Sequence, residues 1–245
     1  MKVIIKETYE QLSAIAAIDL VALMKLRQNP LVCTASGDTP AGMYKQLVEK
    51  VKEHELDIAG WSFVGLDEWM GMNVNTEGSC RYHLNKQLFD HLPIKEERIS
   101  FFDGTKDAEK ECERVESFIS QHGGIHVAIL GLGMNGHIGM NEPGSSPAER
   151  SHLTKLDAMT QQVGQKYFQQ QQSLSEGITL GLGTLLESDH IFLLVSGAHK
   201  AGIVKQLVEG EISAQLPGSL LSNHPSATLY LDKAAASQLQ PSVNS

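Results

Sequence analysis

The stretch LVCTASGDTPAGMYKQLVEKV, residues Leu31 to Val51, contains one complete structural unit. Leu31 to Thr34 is a short apolar run of the length of a buried strand. Pro40 to Val51 carries its apolar residues at helical spacing, with Pro in the first turn and Thr39 placed as a cap. Between them lies the small-residue turn Ser36-Gly37-Asp38-Thr39-Pro40. The same alternation extends in both directions. A first strand starts at Lys2, and Glu10 to Leu26 places Leu12, Ile15, Ala16, Leu20, Leu23 and Met24 on one helical face. Trp61 to Leu66 and Ile125 to Leu130 read as strands, with a helix over Asp107 to Ser120 between them. Ile178 to Leu182 and Ile191 to Val195 are strand-like, Ala198 to Glu209 is helical, and Ala227 to Leu231 is a last strand. Such alternation predicts a mostly parallel sheet covered by helices on both faces, a Rossmann-like three-layer α/β sandwich. No composition break divides residues 1–245, so one domain is expected. The Gln169 to Gln172 patch is expected as a surface helix or loop, and Gln240 to Ser245 as a frayed end.

Composition narrows the function. The 245 residues are 41% hydrophobic and 20% charged, as in ordinary globular chains. No window approaches the roughly 18 consecutive apolar residues of a membrane helix. A net charge of -9 argues against a nucleic-acid partner, which calls for a basic face, yet leaves room for a local basic pocket. Cys33, Cys80 and Cys112 are sparse, odd in number and without C-x-x-C spacing, which predicts reduced thiols in a cytoplasmic protein. The start of the chain carries only a three-residue apolar run before Lys6 and Glu7, so a signal peptide is not expected.

In open parallel sheets ligands bind beyond the C-terminal ends of the strands, and four such ends are chemically loaded here. Ser36 to Pro40 opens a helix, where free backbone N–H groups and the helix dipole favour a phosphate. Without G-K-[ST] or G-x-G-x-x-G it does not indicate a nucleotide, and a plain capped helix start is the alternative. Leu66-Asp67-Glu68-Trp69 offers adjacent carboxylates of which at most one faces a site while the other caps or is solvated; a facing carboxylate suits proton transfer between sugar carbons. Gly131 to Gly144 holds five glycines in fourteen positions, together with Asn135, His137 and Glu142. That glycine density lets backbone approach a ligand, His137 can exchange protons near neutrality, and Glu142 can hold its ring. The remaining histidines and cysteines show no ligand spacing with His137, so no metal is expected. Ser196-Gly197-Ala198-His199-Lys200 places a Lys at a helix start, where an anion would match it; a snorkelling surface Lys is the other reading.

These four segments, in this order, resemble the glucosamine-6-phosphate deaminase family and its relative, galactosamine-6-phosphate isomerase. Gly131 to Gly144 looks like the family's G-[IL]-G-x-[DN]-G-H-[IL]-[AG]-[FM]-N-E-P signature, Leu66 to Trp69 like L-D-E-[YW], and Ser36 to Pro40 like T-G-G-T-P. The resemblance implies that Asp67 moves a proton between C2 and C1 of the open-chain sugar. It implies that His137 opens the ring, with Glu142 and Asn135 completing that set. Ser36, Gly37, the Asp38 N–H, Thr39 and Lys200 would hold the 6-phosphate, with Lys166 where the family often has arginine. The implied reaction turns a hexosamine 6-phosphate into a ketohexose 6-phosphate and ammonia, hydrolysing the C–N bond without metal, nicotinamide or pyridoxal. The implied partner is a small sugar phosphate, bound by a monomer or small homo-oligomer. Trp69, Gly131-Leu132-Gly133 and Gly177 to Leu182 lean toward the galactosamine branch.

Three positions depart from the family pattern. Asn135 stands where many members have Asp, and its amide can hold geometry but not accept charge. Asp38 replaces a glycine, so its side chain is expected to turn from the phosphate, capping the next helix. Lys166 lacks the bidentate fork of arginine. Two other activities are compatible with parts of the pattern. A 6-phosphogluconolactonase-type hydrolase would share the turn and the G-H loop, but Leu66-Asp67-Glu68 and Asn141-Glu142-Pro143 fit deaminases better. A sugar-phosphate sensor domain of a transcription regulator would need a helix-turn-helix segment ahead of the first strand, for which no room is expected.

Overall fold

Seven parallel strands form the middle layer of the computed structural model, which describes residues 1–240. The expectation of a frayed tail therefore falls, beyond Gln240, outside the described residues. The first half of the chain forms β1 (Lys2–Lys6), α1 (Tyr9–Met24), β2 (Leu31–Thr34), α2 (Asp38–Lys52) and β3 (Ser62–Gly65). There follow β4 (Asp67–Trp69), α3 (Cys80–Gln87), β5 (Ile99–Ser100), α4 (Ala108–Gln121) and β6 (Val127–Gly131). Then come β7 (His152–Lys155), α5 (Ala158–Gly164), β8 (Glu176–Thr179), α6 (Leu182–Leu186) and β9 (His190–Val195). The last elements are α7 (Ala201–Glu209), α8 (Pro217–Leu220) and β10 (Ala227–Asp232).

The large sheet has the order β1-β10-β9-β6-β2-β3-β5. Its strands read as continuous apolar runs because both faces are buried. Val32, Phe63, Ile129 and Leu194 pack on the α1, α2 and α3 side with Leu12, Tyr44 and Leu84. Cys33, Val64, Leu130 and Leu193 point to the other side, against Val115 and Ile119 of α4 and Val204 and Leu207 of α7. Beyond β2 the chain lays down β3 and β5; beyond β6 it lays down β9 and β10, and the N-terminal β1 closes that edge. The order reverses between β2 and β6, and at such a switch point the loops leaving adjacent strands diverge and open a crevice. The two loops that diverge here are Ser36 to Pro40 and the glycine-dense loop after β6.

The helix and strand boundaries differ from expectation in instructive places. Ile178 to Leu182 does not join the parallel sheet. Instead β8 pairs antiparallel with β4 and β7 in a second, three-stranded sheet, and Leu182 onward is helical. A short apolar run says that a strand is buried, not which partner buries it. Helix α2 begins at Asp38, and Thr39 does not cap it: the N-cap is Gly37 at φ 116°, without a side-chain cap bond. Only glycine takes that conformation readily, so the chain turns into the helix two residues before the expected start. Ala198 to Lys200 is a single 3₁₀ turn ahead of α7, and Gln169 to Gln172 is an exposed non-helical loop. The described cysteines are all free, with Cys33 and Cys80 buried. Among the described residues no helix is long and apolar enough to cross a membrane.

Phe63 is 1% exposed and meets Phe89 edge-on with ring centroids 5.2 Å apart. Phe63→Ala is expected to cost about 3–5 kcal/mol and lower Tm by roughly 6–20 °C. Thermal unfolding followed by circular dichroism measures this, and a drop of a degree or less would show that the outer helical layer does not rest on this ring.

Candidate active site

At the switch point lies a cavity of about 480 Å³. Its walls include Ser36 and Gly37 from the turn after β2, Asp67 from β4, His137 from the loop after β6, and Lys200 from the turn after β9. The four loaded strand ends of the sequence therefore meet in one place. Asn135, Asp38, Thr39 and Lys166 also line it, while Glu142 stands behind His137.

One end of the cavity is built for an anion. Helix α2 points its N-terminus into it, and the first-turn N–H groups of a helix have no partner within the helix. Tyr9 of α1 pins this turn: its hydroxyl donates to the carbonyls of Asp38 (2.8 Å) and Thr39 (3.0 Å) and accepts from the Gly42 N–H at 2.7 Å. Lys200 faces the same end, with Nζ donating to the Leu132 carbonyl. Burial, and then the positive charge of Lys166, bring its amine down to about 8. The loop that carries Lys200 is tied down by the buried Asp232, which accepts from the Ser196 hydroxyl and from the Gly197 N–H at 3.0 Å. Asp38 does not cap a helix as expected. Its carboxylate turns out of the anion site onto Lys166, 2.7 Å away, because that is where the nearest cation stands. Lys166 thus lines the cavity already paired, and burial, which works against its charge, is outweighed by this bond.

The other end carries acid–base groups. Asp67 is the first residue of β4 and its neighbour Glu68 points the opposite way, as alternate residues of a strand do. Glu68 has no exposure to water and accepts from the N–H groups of Trp69 (2.9 Å), Cys80 (2.9 Å) and Arg81 (3.0 Å), so it caps α3. Of the two carboxylates Asp67 faces the cavity and Glu68 caps α3. Burial raises the Asp67 carboxyl to about 6, against the lowering effects of Cys80 and of the charge of His137.

His137 is supported from two sides. Its Nδ1 lies 3.5 Å from Glu142 Oε2 and 3.1 Å from the Thr160 hydroxyl of α5. Asn135 links the set, donating from Nδ2 to Glu142 Oε2 at 2.8 Å and accepting the His137 N–H at 3.2 Å. Burial works against the charge of Glu142, yet the His137 ring, the Thr160 hydroxyl and the Asn135 amide pull its carboxyl down to about 2. It is therefore a fixed negative charge behind the ring, and Asn135 positions it without adding a second. Gly133 is required by close approach: a Cβ there would sit 2.4 Å from the His137 ring.

Thr160, Tyr9, Asp232 and Cys80 belong to this arrangement and were not singled out for it in the sequence. Tyr9 and Thr160 come from elements far along the chain from the groups they touch, and no spacing rule connects them. Among the described residues no group of three or more His, Cys, Asp and Glu side chains is placed to hold a metal ion.

Fold and site together define a three-layer α/β protein with a cleft at the C-terminal edge of its sheet, lined by a helix N-terminus, a lysine and acid–base groups. The chain belongs to the glucosamine-6-phosphate isomerase/6-phosphogluconolactonase family, whose model matches residues 6–230. It is 38% identical over 238 residues to a glucosamine-6-phosphate deaminase of Clostridium tetani, covering 96% of this chain and 99% of that one. The solved structure of a monomeric glucosamine-6-phosphate deaminase of the NagB superfamily superposes with a TM-score of 0.93 at 37% identity, covering 97% of this chain and 99% of that one. The 6-phosphogluconolactonase of Trypanosoma cruzi shares the fold, with a TM-score of 0.75 at 19% identity over 98% and 97% of the two chains.

With its amine brought down to about 8, Lys200 is uncharged at pH 8 to a far greater extent than an ordinary surface lysine. Brief acetylation at that pH, read by peptide mapping, is expected to label Lys200 ahead of Lys45 and Lys95, and inorganic phosphate is expected to slow it. Equal labelling with and without phosphate would remove Lys200 from the anion end.

Proposed function

We propose that the protein is a hexosamine-6-phosphate deaminase, isomerising and deaminating an amino-sugar phosphate to a ketohexose 6-phosphate and ammonia. The observation that carries this reading is the meeting of Asp67 and His137 in one cavity with the α2 N-terminus and Lys200. A phosphate held by Ser36, Gly37, Thr39 and the Asp38 N–H, with Lys200 as counter-charge, fixes one end of the sugar. Fixing it replaces a loose encounter by a near-attack geometry at the other end. Glucosamine 6-phosphate is the epimer that the relatives' names support; the lean toward galactosamine gains no support from them.

Each step follows from the groups in place. His137, steadied by Glu142, Asn135 and Thr160, passes a proton to the ring oxygen and opens the pyranose. Asp67, as carboxylate, takes the proton from C2 and returns it to C1, leaving a C=N bond at C2. Water adds to that carbon and ammonia leaves, so the C–N cleavage is hydrolytic while the carbon skeleton is isomerised. The charge requirement is met because Asp67 ionises at about 6 and is a base at neutral pH. Lys166 joins the phosphate only by releasing Asp38.

Ammonia release from glucosamine and galactosamine 6-phosphate, run beside 6-phosphogluconolactone hydrolysis, tests the reading; fast lactone hydrolysis with no ammonia would replace it by the lactonase. Since the protonated form of Asp67 is inactive, kcat/KM is expected to fall about tenfold per pH unit below 6 and to level off above it. Asp67→Asn is expected to lower kcat by roughly 10²–10⁴ with KM within a few-fold. A flat acid limb, or near-full activity in that variant, would remove Asp67 from the proton transfer. His137→Gln is expected to reduce turnover of the cyclic sugar about tenfold more than that of the open-chain form, and equal losses would contradict a ring-opening role.

A further inference from the structure

Cys80 stands where the proton-transfer chemistry has, so far, no assigned use for it. It is the first residue of α3, 5% exposed, and lines the same cavity as Asp67. Its place is set by the buried Glu68, which accepts the Cys80 N–H at 2.9 Å and the Arg81 N–H at 3.0 Å. Glu68 and Asp67 are adjacent, so the carboxylate that caps α3 also brings the first side chain of that helix against the carboxylate that faces the site. The thiol, the Asp67 carboxylate and the Ser36 hydroxyl all face this cavity, and the thiol bears on the ionisation of the carboxylate. No backbone N–H and no oxygen or nitrogen donor among the described residues is bonded to the Asp67 side chain, whereas Glu68 takes three N–H groups.

We propose that Cys80 is a positioning residue for Asp67, its S–H donating to the carboxylate and holding one oxygen toward the sugar carbons. The role requires a thiol that stays protonated. Burial, and then the charges of Asp67 and Glu68, hold the Cys80 thiol well above its ordinary range, which supplies that protonated donor and makes it a poor nucleophile. The other titratable groups facing Asp67 are His137 from the loop after β6, Cys33 from β2, Tyr44 from α2 and the neighbouring Glu68. Cys33 and Tyr44 are held neutral by burial, and Tyr44 gives its proton to the Ala35 carbonyl at 2.8 Å. Met140, Trp69 and Leu174 pack with Cys80 in one small apolar cluster. They bury the thiol on its inner side, and a weak donor counts most in such apolar surroundings.

This placement rests on the role given to Asp67 above, and the test separates the two. Carboxyl-¹³C NMR of the Asp-labelled protein, assigned with Asp67→Asn, follows the Asp67 titration directly. In Cys80→Ala the titration is expected to move up by about half to one pH unit, the size of one lost hydrogen bond to the charged form. In Cys80→Ser it is expected to stay at the wild-type position or move down, because the hydroxyl is the better donor. In ammonia-release assays the acid limb should move with the NMR titration in each variant, with kcat lower in Cys80→Ala and KM within about twofold. An Asp67 titration unmoved in Cys80→Ala overturns the proposal, and so does an upward shift in Cys80→Ser, which stands as a test even if the alanine variant does not fold. If the wild type releases no ammonia while the titration moves as expected, the deaminase reading falls and the Cys80–Asp67 contact stands.

Discussion

The carboxylate of Glu68 has no access to water, and that single fact arranges the reactive half of the cleft. Burial raises its carboxyl to about 7, and three backbone N–H groups offset part of that cost only because the start of α3 comes to it. Helix and strand are thereby locked together across the 11 residues between Glu68 and Cys80, with no regular structure between Trp69 and Ser79 beyond turns. Because alternate residues of a strand face opposite ways, anchoring Glu68 underneath leaves Asp67 no direction but into the cavity. Removing the anchor would free two elements and the Asp67 side chain at once, so the two adjacent carboxylates cannot be varied independently.

The rest of the cleft obeys a division imposed by the sheet. Strands that run the same way present their C-terminal ends together, and the reversal of order between β2 and β6 opens the gap there. Helix α2 enters that gap from one side with its positive end, while the glycine-dense loop enters from the other with His137. The second sheet closes the remaining side: β4 supplies Asp67, and the segment after β7 supplies Thr160 to the His137 ring. A doubly charged ligand and a partly desolvated carboxylate would repel one another if close. The fold lines one cavity with the cation Lys200 and the helix terminus to match the first, and sets Asp67 in the same cavity as His137.

What could be read in the amino-acid sequence follows from how local each signal is. The unit from Leu31 to Val51 was legible because glycine and proline punctuate it, and the parallel sheet because every central strand is apolar on both faces. The second sheet was not legible. β4 is the three residues Asp67-Glu68-Trp69, and β7 is a half-exposed His-Leu-Thr-Lys run, neither with a hydrophobic pattern that competes with loop. β8 carries an apolar run indistinguishable from that of a central strand. In the site, Asp67, Asn135, His137 and Glu142 stood out through local density of polar groups and glycine and through the family pattern they resemble. Thr160 and Asp232 did not, because their partners are 23 and 36 residues distant and only the tertiary fold brings them together. Asp38 was read as turning from the phosphate, which it does, but its destination, Lys166, lies 128 residues along the chain.

That last pair also shapes how ions would exchange at the mouth of the cleft. A bare lysine gathers counterions from solution, and a ligand that binds it must drive them off, which makes binding fall as salt rises. Lys166 carries its own tethered counterion in Asp38. A phosphate reaching Lys166 would swap places with a carboxylate rather than with dissolved chloride, and the carboxylate, released, would remain nearby to reclaim the amine once the ligand has gone. In that exchange the ion pair would act as an internal leaving partner, softening the dependence of capture on ionic strength and giving release a ready-made return path.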